Sequence, residues 1–390
     1  MKRTGKIFIR ILWGIVLAIA LVIAGIYMSG HGYIFSALQK TYMKGHTTAH
    51  IDDYVDFDNA VIRAGIPQPW VLHEKYNQLQ LTDTLRRGLE NYQTAGFAFV
   101  KNGELLHEEY WNNYSDSSLT NTFSMAKSIT TMLLGKAIEQ GFIEDLNQRI
   151  TDFIPEFLHD SLGCLVRVGD LSSMRSGFDW TEDYYSPFNV TTEAYYGNHI
   201  EKQLLKRHFI SPPGGHFLYL SANTQLLAIV LKRATGKSLA QYLSEEFWQP
   251  MGMETDALWS LSGGIEKSFC CIYSNVRDYA KLGQLLLQKG NWNGVQLLDS
   301  TFVELMITPC YDAFKPEEPK KYGYSIWIDE NYRPSFYGMM GHLGQRIIVV
   351  PDENLVIVRL GKERDMVHPS KGPLDADTYL MVDEVMKMMN

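Results

Sequence analysis

The sequence predicts an α/β (α+β) body, with strands at both ends around a mostly helical middle, preceded by one apolar N-terminal helix. Three observations carry this. An uncharged run from Ile11 to Met28 follows four basic residues. Apolar stretches bounded by turn residues fall near 97–111 and 322–360, as strands require. Between them, apolar residues recur at helical spacing.

The N-terminal run comes first. Its eighteen residues, at ~1.5 Å each, span roughly 27 Å, about the thickness of a hydrocarbon core. Trp13 and Tyr27 lie near its two ends, where amphipathic rings favour an interface. Lys2, Arg3, Lys6 and Arg10 all precede it, so the positive-inside rule places the rest of the chain outside the cytoplasm, periplasmic or extracellular. A cleaved signal peptide competes with this reading. Its apolar core would be unusually long, and Ala18-Ile19-Ala20 falls early for a cleavage site, so an uncleaved single-pass anchor over residues 1–30 is preferred.

Residues 31–80 show no strong period and are read as a tether and an arm lying against the body. Phe97 to Val100, Lys101-Asn102-Gly103-Glu104 and Leu105 to Trp111 read as a hairpin, with Asn-Gly as its type I′ turn. Thr131 to Gln140 repeats at helical spacing and stops at Gly141. Thr224 to Thr235 does the same, with Asn223 as the expected N-cap and Gly236 as the stop. Val276 to Gln288 is a third amphipathic helix. Strands are expected at Tyr322–Trp327, Arg346–Val350 and Leu355–Leu360, and a last helix near Ala376–Met389.

The 390 residues are 45% apolar and 21% charged, the balance of a globular protein. Net charge is −8, without a basic stripe beyond the first ten residues, which argues against nucleic acid as a partner. Cys164, Cys270, Cys271 and Cys310 are too few for a disulfide scaffold. The adjacent Cys270 and Cys271 sit among apolar residues and read as packed core thiols. His46 and His50 lack a carboxylate at helical spacing. His73-Glu74 and His107-Glu108 lack the second histidine of H-E-x-x-H, so neither a metal nor any other cofactor is expected. There is also no G-x-S-x-G elbow of an α/β-hydrolase.

Chemistry concentrates in three short segments. In Phe123-Ser124-Met125-Ala126-Lys127-Ser128, a serine opening a helix would have Lys127 beside its hydroxyl at i+3. A buried lysine with a lowered pKa can take the serine proton, and the helix N-terminus offers backbone N–H groups to an oxyanion. Alone the pattern is weak, since S-x-x-K arises by chance roughly once in a chain this long. In Phe217-Leu218-Tyr219-Leu220-Ser221, a tyrosine ahead of a helix could present its phenol to the same site. A cationic neighbour would be expected to lower its pKa. In Gly341-His342-Leu343-Gly344-Gln345, glycines at a strand edge let the N–H of Gln345 approach a ligand, with His342 facing it.

In this order the segments resemble the serine β-lactamase and penicillin-binding-protein superfamily, with its S-x-x-K, Y-x-N or Y-x-S, and K-T-G or H-x-G motifs. The spacing, 95 residues and then 123, suits its class C-like branch. Asp170 to Gly177, Pro213-Gly214 through Leu227, and Asn275-Val276-Arg277-Asp278 also match it, so the likeness spans about 95–362. Ser-Met-Ala-Lys-Ser with Tyr219-x-Ser221 is nearest the 6-aminohexanoate-dimer hydrolases and esterase-like members. The resemblance implies an antiparallel sheet flanked by helices and a mostly helical insertion, with 81–390 as the hydrolase domain. It implies that Ser124 is acylated and that Lys127 and Tyr219 share proton transfer. The N–H groups of Ser124 and Gln345 would hold the oxyanion, with His342 and Gly344 beside the substrate. Trp180, Tyr184 and Tyr185 fall where relatives carry a substrate-covering loop. His342 in place of the usual lysine weakens the case for a β-lactamase. The expected partner is a small ester, amide or peptide. A peptidase acting on D-amino-acid cell-wall peptides and an inactive binding member of the fold are the alternatives. The sequence does not reveal an oligomeric state.

Overall fold

The computed structural model describes residues 2–184, 186–310, 321–365 and 372–389. Its main sheet is antiparallel and six-stranded, in the order Trp327–Asp329, Phe336–Gly341, Gln345–Val350, Leu355–Gly361, Thr94–Lys101 and Glu104–Tyr110. Strands from opposite ends of the body therefore pair directly, with Leu355 opposite Lys101. Period-two alternation explains how both faces are covered. Phe97, Phe99, Ile348, Val350 and Ile357 turn to a layer that includes the helix Ala376–Met389. Ala98, Val100, Ile347, Val349 and Val358 turn to the larger core, where Val276–Leu287 lies on the sheet. Each fully buried Phe or Ile contributes ~1.5–3 kcal/mol of apolar transfer.

The hairpin turn forms as expected, with Asn102 at φ 55° and Gly103 at φ 83°. The helix after Ser124 runs Met125–Glu139 and is buried on nearly every side, packed against Ser221–Thr235. That second helix begins three residues before the predicted start. Leu220 is its N-cap, and Asn223 lies inside the first turn, where it accepts a hydrogen bond from Ser176 Oγ. Gly236 ends it in the left-handed region at φ 70°. The predicted strand Tyr322–Trp327 is instead a turn through Ser325 (φ 58°), with the strand confined to Trp327–Asp329. The strand Phe336–Gly341 was missed, because two glycines and two methionines hide its alternation.

The arm is more structured than its sequence suggests. Tyr33–Lys40 is helical, and Asn59–Ile62 adds a strand to a second sheet through Ala257–Ser262. That sheet continues through Ile272–Ser274 to Thr120–Asn121, three residues short of Ser124. Cys270 and Cys271 are joined as a disulfide, which corrects their reading as free thiols. Cys271 sits at φ 71°, a left-handed conformation that brings neighbouring sulfurs together and leaves no trace in local hydropathy. Lys2–Met28 forms one helix, and none of its apolar window from Lys6 onward is buried.

Candidate active site

Ser124 caps the N-terminus of Met125–Glu139, immediately after Phe123, whose φ of 44° is a left-handed turn rarely adopted by a large side chain. The turn is held by Asn121, whose Oδ1 accepts the Phe123 N–H at 2.8 Å. Lys127, one turn on, places Nζ 2.9 Å from Ser124 Oγ and 2.9 Å from the Phe269 carbonyl oxygen. Its side chain is 1% exposed. Burial pulls its pKa down to about 8, opposed by the Glu182 carboxylate. An amine with this pKa is partly neutral near neutral pH and can accept a proton from the serine.

Tyr219 completes the group. Its ring centroid is 5.0 Å from Lys127 Nζ, and its phenol is hydrogen-bonded with Ser124. The expected fall in its pKa is not found. Burial pushes it well above the usual phenol value, and the hydrogen bond to Ser124 only partly offsets that. The phenol therefore stays protonated at neutral pH. Tyr322 and Trp327 box it in, with ring centroids at 6.0 and 5.5 Å. Sequence reasoning missed both, having read their segment as a plain strand.

The sheet side of the site is the turn between Phe336–Gly341 and Gln345–Val350. A Cβ on Gly341 would lie 2.3 Å from the Thr122 carbonyl oxygen, so glycine lets this strand abut the segment that carries Ser124. Leu343 (φ 59°) and Gly344 (φ 81°) turn the chain. Gln345 sends its side chain the other way, bonding Gly361 with both amide atoms. His342 packs edge-on to Phe123 at 5.4 Å and tilted to Tyr184 at 5.3 Å. Burial, with Arg364 and Arg346 adding repulsion, brings its pKa down to about 4, so its imidazole is neutral at pH 7. Behind the turn lies Arg359, which sequence reading passed over as a strand residue. It is fully buried and donates to the carbonyls of Leu343 (3.0 Å), Gly344 (2.9 Å) and Glu363 (2.8 Å).

Tyr184 lines the cavity, and Trp180 is buried behind it with Arg207 5.7 Å from its ring; Tyr185 lies outside the described residues. Glu182 is a second residue the sequence did not flag. Its carboxylate accepts from the Tyr184 phenol (2.6 Å), the Ser221 N–H (2.8 Å) and the Ser221 hydroxyl, joining the segment 182–184 to the start of Ser221–Thr235. Among the described residues, none of those lining the cavity over Ser124 carries a formal charge at neutral pH. Among the described residues, no cluster of three or more His, Cys, Asp or Glu side chains is grouped to hold a metal ion.

This fold, with a serine and a lysine in contact at the start of a buried helix, belongs to a family. The Beta-lactamase family model matches residues 81–379, and the chain is a member of that family of hydrolases. Its relatives include amide and peptide hydrolases. It is similar to the 6-aminohexanoate-dimer hydrolase of Paenarthrobacter ureafaciens, 25% identical over 299 residues that cover 72% of this chain and 76% of that protein. A Bacillus anthracis structure provisionally named a 6-aminohexanoate-dimer hydrolase superposes with a TM-score of 0.67 at 20% identity, covering 90% of this chain and 93% of that one. A family VIII carboxylesterase superposes at 0.61 with 16% identity, covering 82% and 98%. At these identities the two structures bear on the fold alone.

Proposed function

We propose that the protein hydrolyses an uncharged ester or amide through an acyl-enzyme on Ser124. The observation that carries this reading is the 2.9 Å contact between Ser124 Oγ and a buried Lys127 amine whose pKa is drawn down to about 8. Neutral Lys127 takes the serine proton as Oγ attacks the carbonyl carbon. The N–H groups of Ser124 and Gln345 receive the oxyanion. Tyr219, protonated, gives its proton to the departing alcohol or amine and recovers one from the Lys127 ammonium. Water then attacks the acyl group by the same route in reverse, releasing the acid and restoring the serine.

The choice of an uncharged acyl group rests on the lining. A β-lactam or a peptide ending in a D-amino acid brings a carboxylate, which would lose its water against a lining whose described residues carry no formal charge, the Lys127 amine being engaged with Ser124 and the Phe269 carbonyl. His342, neutral at pH 7, supplies none where relatives place a lysine. Lys6–Met28 serves in this reading as an anchor holding the body outside the cytoplasm. The full-length protein is expected to hydrolyse p-nitrophenyl butyrate, to ignore fluorescent penicillin, and to be labelled by a fluorophosphonate. An impermeant fluorophosphonate should label it on intact cells. Labelling that persists in Ser124→Ala sinks the assignment of the nucleophile.

A further inference from the structure

The nucleophile's turn is held by Asn121, and Asn121 is itself held from outside the family-matched region. Asp53 belongs to the arm, ahead of residue 81 where the family match begins. It is 2% exposed. Its carboxylate accepts from Tyr195 Oη (2.6 Å), Tyr273 Oη (2.8 Å) and Asn121 Nδ2 (3.2 Å). The arm reaches Asn121 a second time, through the Ile51 carbonyl, which accepts its backbone N–H at 2.8 Å. On its other side, Asn121 Oδ1 accepts from Phe123 N (2.8 Å) and Cys271 N (3.1 Å). Those two N–H groups belong to the two segments that hold the reacting pair. Phe123 carries Ser124, and Phe269, two residues before Cys271, offers the carbonyl that fixes Lys127.

An amide side chain can be turned either way, and its orientation decides whether it offers an oxygen or an N–H group to the backbone. With Tyr195, Tyr273 and Asn121 all donating to it, the Asp53 carboxyl group acts as an acceptor, and it draws Nδ2 towards itself and leaves Oδ1 to Phe123 and Cys271. We propose that Asp53 is a positioning residue of the active site: by orienting Asn121, the arm sets the distance between Ser124 and Lys127. The docked arm also contributes Thr48 and Ala49 to the cavity wall, so its place beside the site is fixed at two points. This inference rests on the acyl-enzyme reading above.

The test uses the full-length chain in detergent, comparing fluorophosphonate labelling rate at Ser124, kcat and KM for p-nitrophenyl butyrate, and thermal unfolding. Asp53→Ala is expected to lower the labelling rate and kcat together by about 30-fold, with KM within about threefold, in line with the cost of small misplacements of reacting groups. Asp53→Asn, which keeps the shape and one acceptor oxygen, is expected to recover most of that loss. Arg63→Ala supplies the control. It removes an exposed ion pair between the arm and Asp256 (2.7 Å) without touching the network, so labelling should stay at the wild-type rate. Where Asp53→Ala does not fold, Tyr273→Phe removes one bond to the carboxylate, together with the Tyr273 contacts to Asn121 Nδ2 (3.2 Å) and Ser260 Oγ (3.3 Å), at almost constant volume and should slow labelling about threefold to tenfold. Wild-type labelling rates per folded molecule in the Asp53 variants, or in Tyr273→Phe, overturn the proposal even if unfolding temperatures drop. A wild-type protein that is not labelled overturns the acyl-enzyme reading instead.

Discussion

The two walls of the site are held by different means. On the helical wall, the Ser124 turn and the Lys127 amine are fixed by neutral groups: the Asn121 amide and the Phe269 carbonyl. On the sheet wall, the turn 342–344 rests on buried guanidinium groups. Arg359 gathers its carbonyls, and Arg346 reaches Gly341 O (3.0 Å) while pairing with Asp377 (3.1 Å). The difference teaches how one cavity serves two demands. In the proposed reaction Lys127 must lose its proton, and among the described residues its amine bonds neutral oxygens, those of Ser124 and Phe269. In the same proposal an oxyanion must meet positive potential, and Arg359 and Arg346 stand behind the turn assigned to it.

The comparison breaks first at Lys127. Lys127→Arg keeps the charge but cannot surrender a proton, so kcat on p-nitrophenyl butyrate should fall by about 10³-fold, within the range for a lost general base. A small loss would mean that the helical wall does not supply the base. Arg359→Met tests the sheet wall. It strands four backbone carbonyls, those of Tyr92, Leu343, Gly344 and Glu363, and turnover should drop by about 10–10²-fold as the oxyanion donors loosen. Thermal unfolding should register a loss of about 3 kcal/mol in the same variant.

The pH profile sharpens the picture. The rate of wild type should climb as pH rises through about 8, where Lys127 sheds its proton. Because the Glu182 carboxylate raises that value, Glu182→Gln should move the midpoint down, and a midpoint that moves up contradicts the assignment. The smallest effect concerns stability. The folded pKa of His342, about 4, lies below its ordinary value of 6.5. Its contribution is therefore complete above pH 6.5 and is withdrawn as pH falls towards 4, by up to about 3 kcal/mol. In His342→Asn the acid side of the stability curve should flatten, which unfolding at pH 4.5 and 7 would reveal.

The sequence carried much of this. Ser124, Lys127, Tyr219 and the 341–345 turn come together from motifs 95 and 123 residues apart, because each motif names both a residue type and a local geometry. The strands around 97–111 and 345–361 were legible from alternation. The unread parts share a cause. Glu182, Arg359 and Asp53 act through contacts that no local period encodes, and Arg359 reads as an ordinary polar strand position until the turn above it is folded. Tyr219 was misjudged electrostatically, because a neighbouring charge is visible in sequence and desolvation is not. The link between Cys270 and Cys271 required a left-handed residue that composition cannot announce.

The pairing of Thr94–Lys101 with Leu355–Gly361 has a consequence for how the protein is made. The serine emerges from the ribosome early, but Gln345, its proposed oxyanion partner, and the strand that seats it arrive some 220 residues later. Closing so long a loop is slow and nearly all-or-none. On the proposed function, a half-synthesised chain thus carries Ser124 without Gln345 and without His342 in the cavity wall, and hydrolysis waits until the last strands are in place.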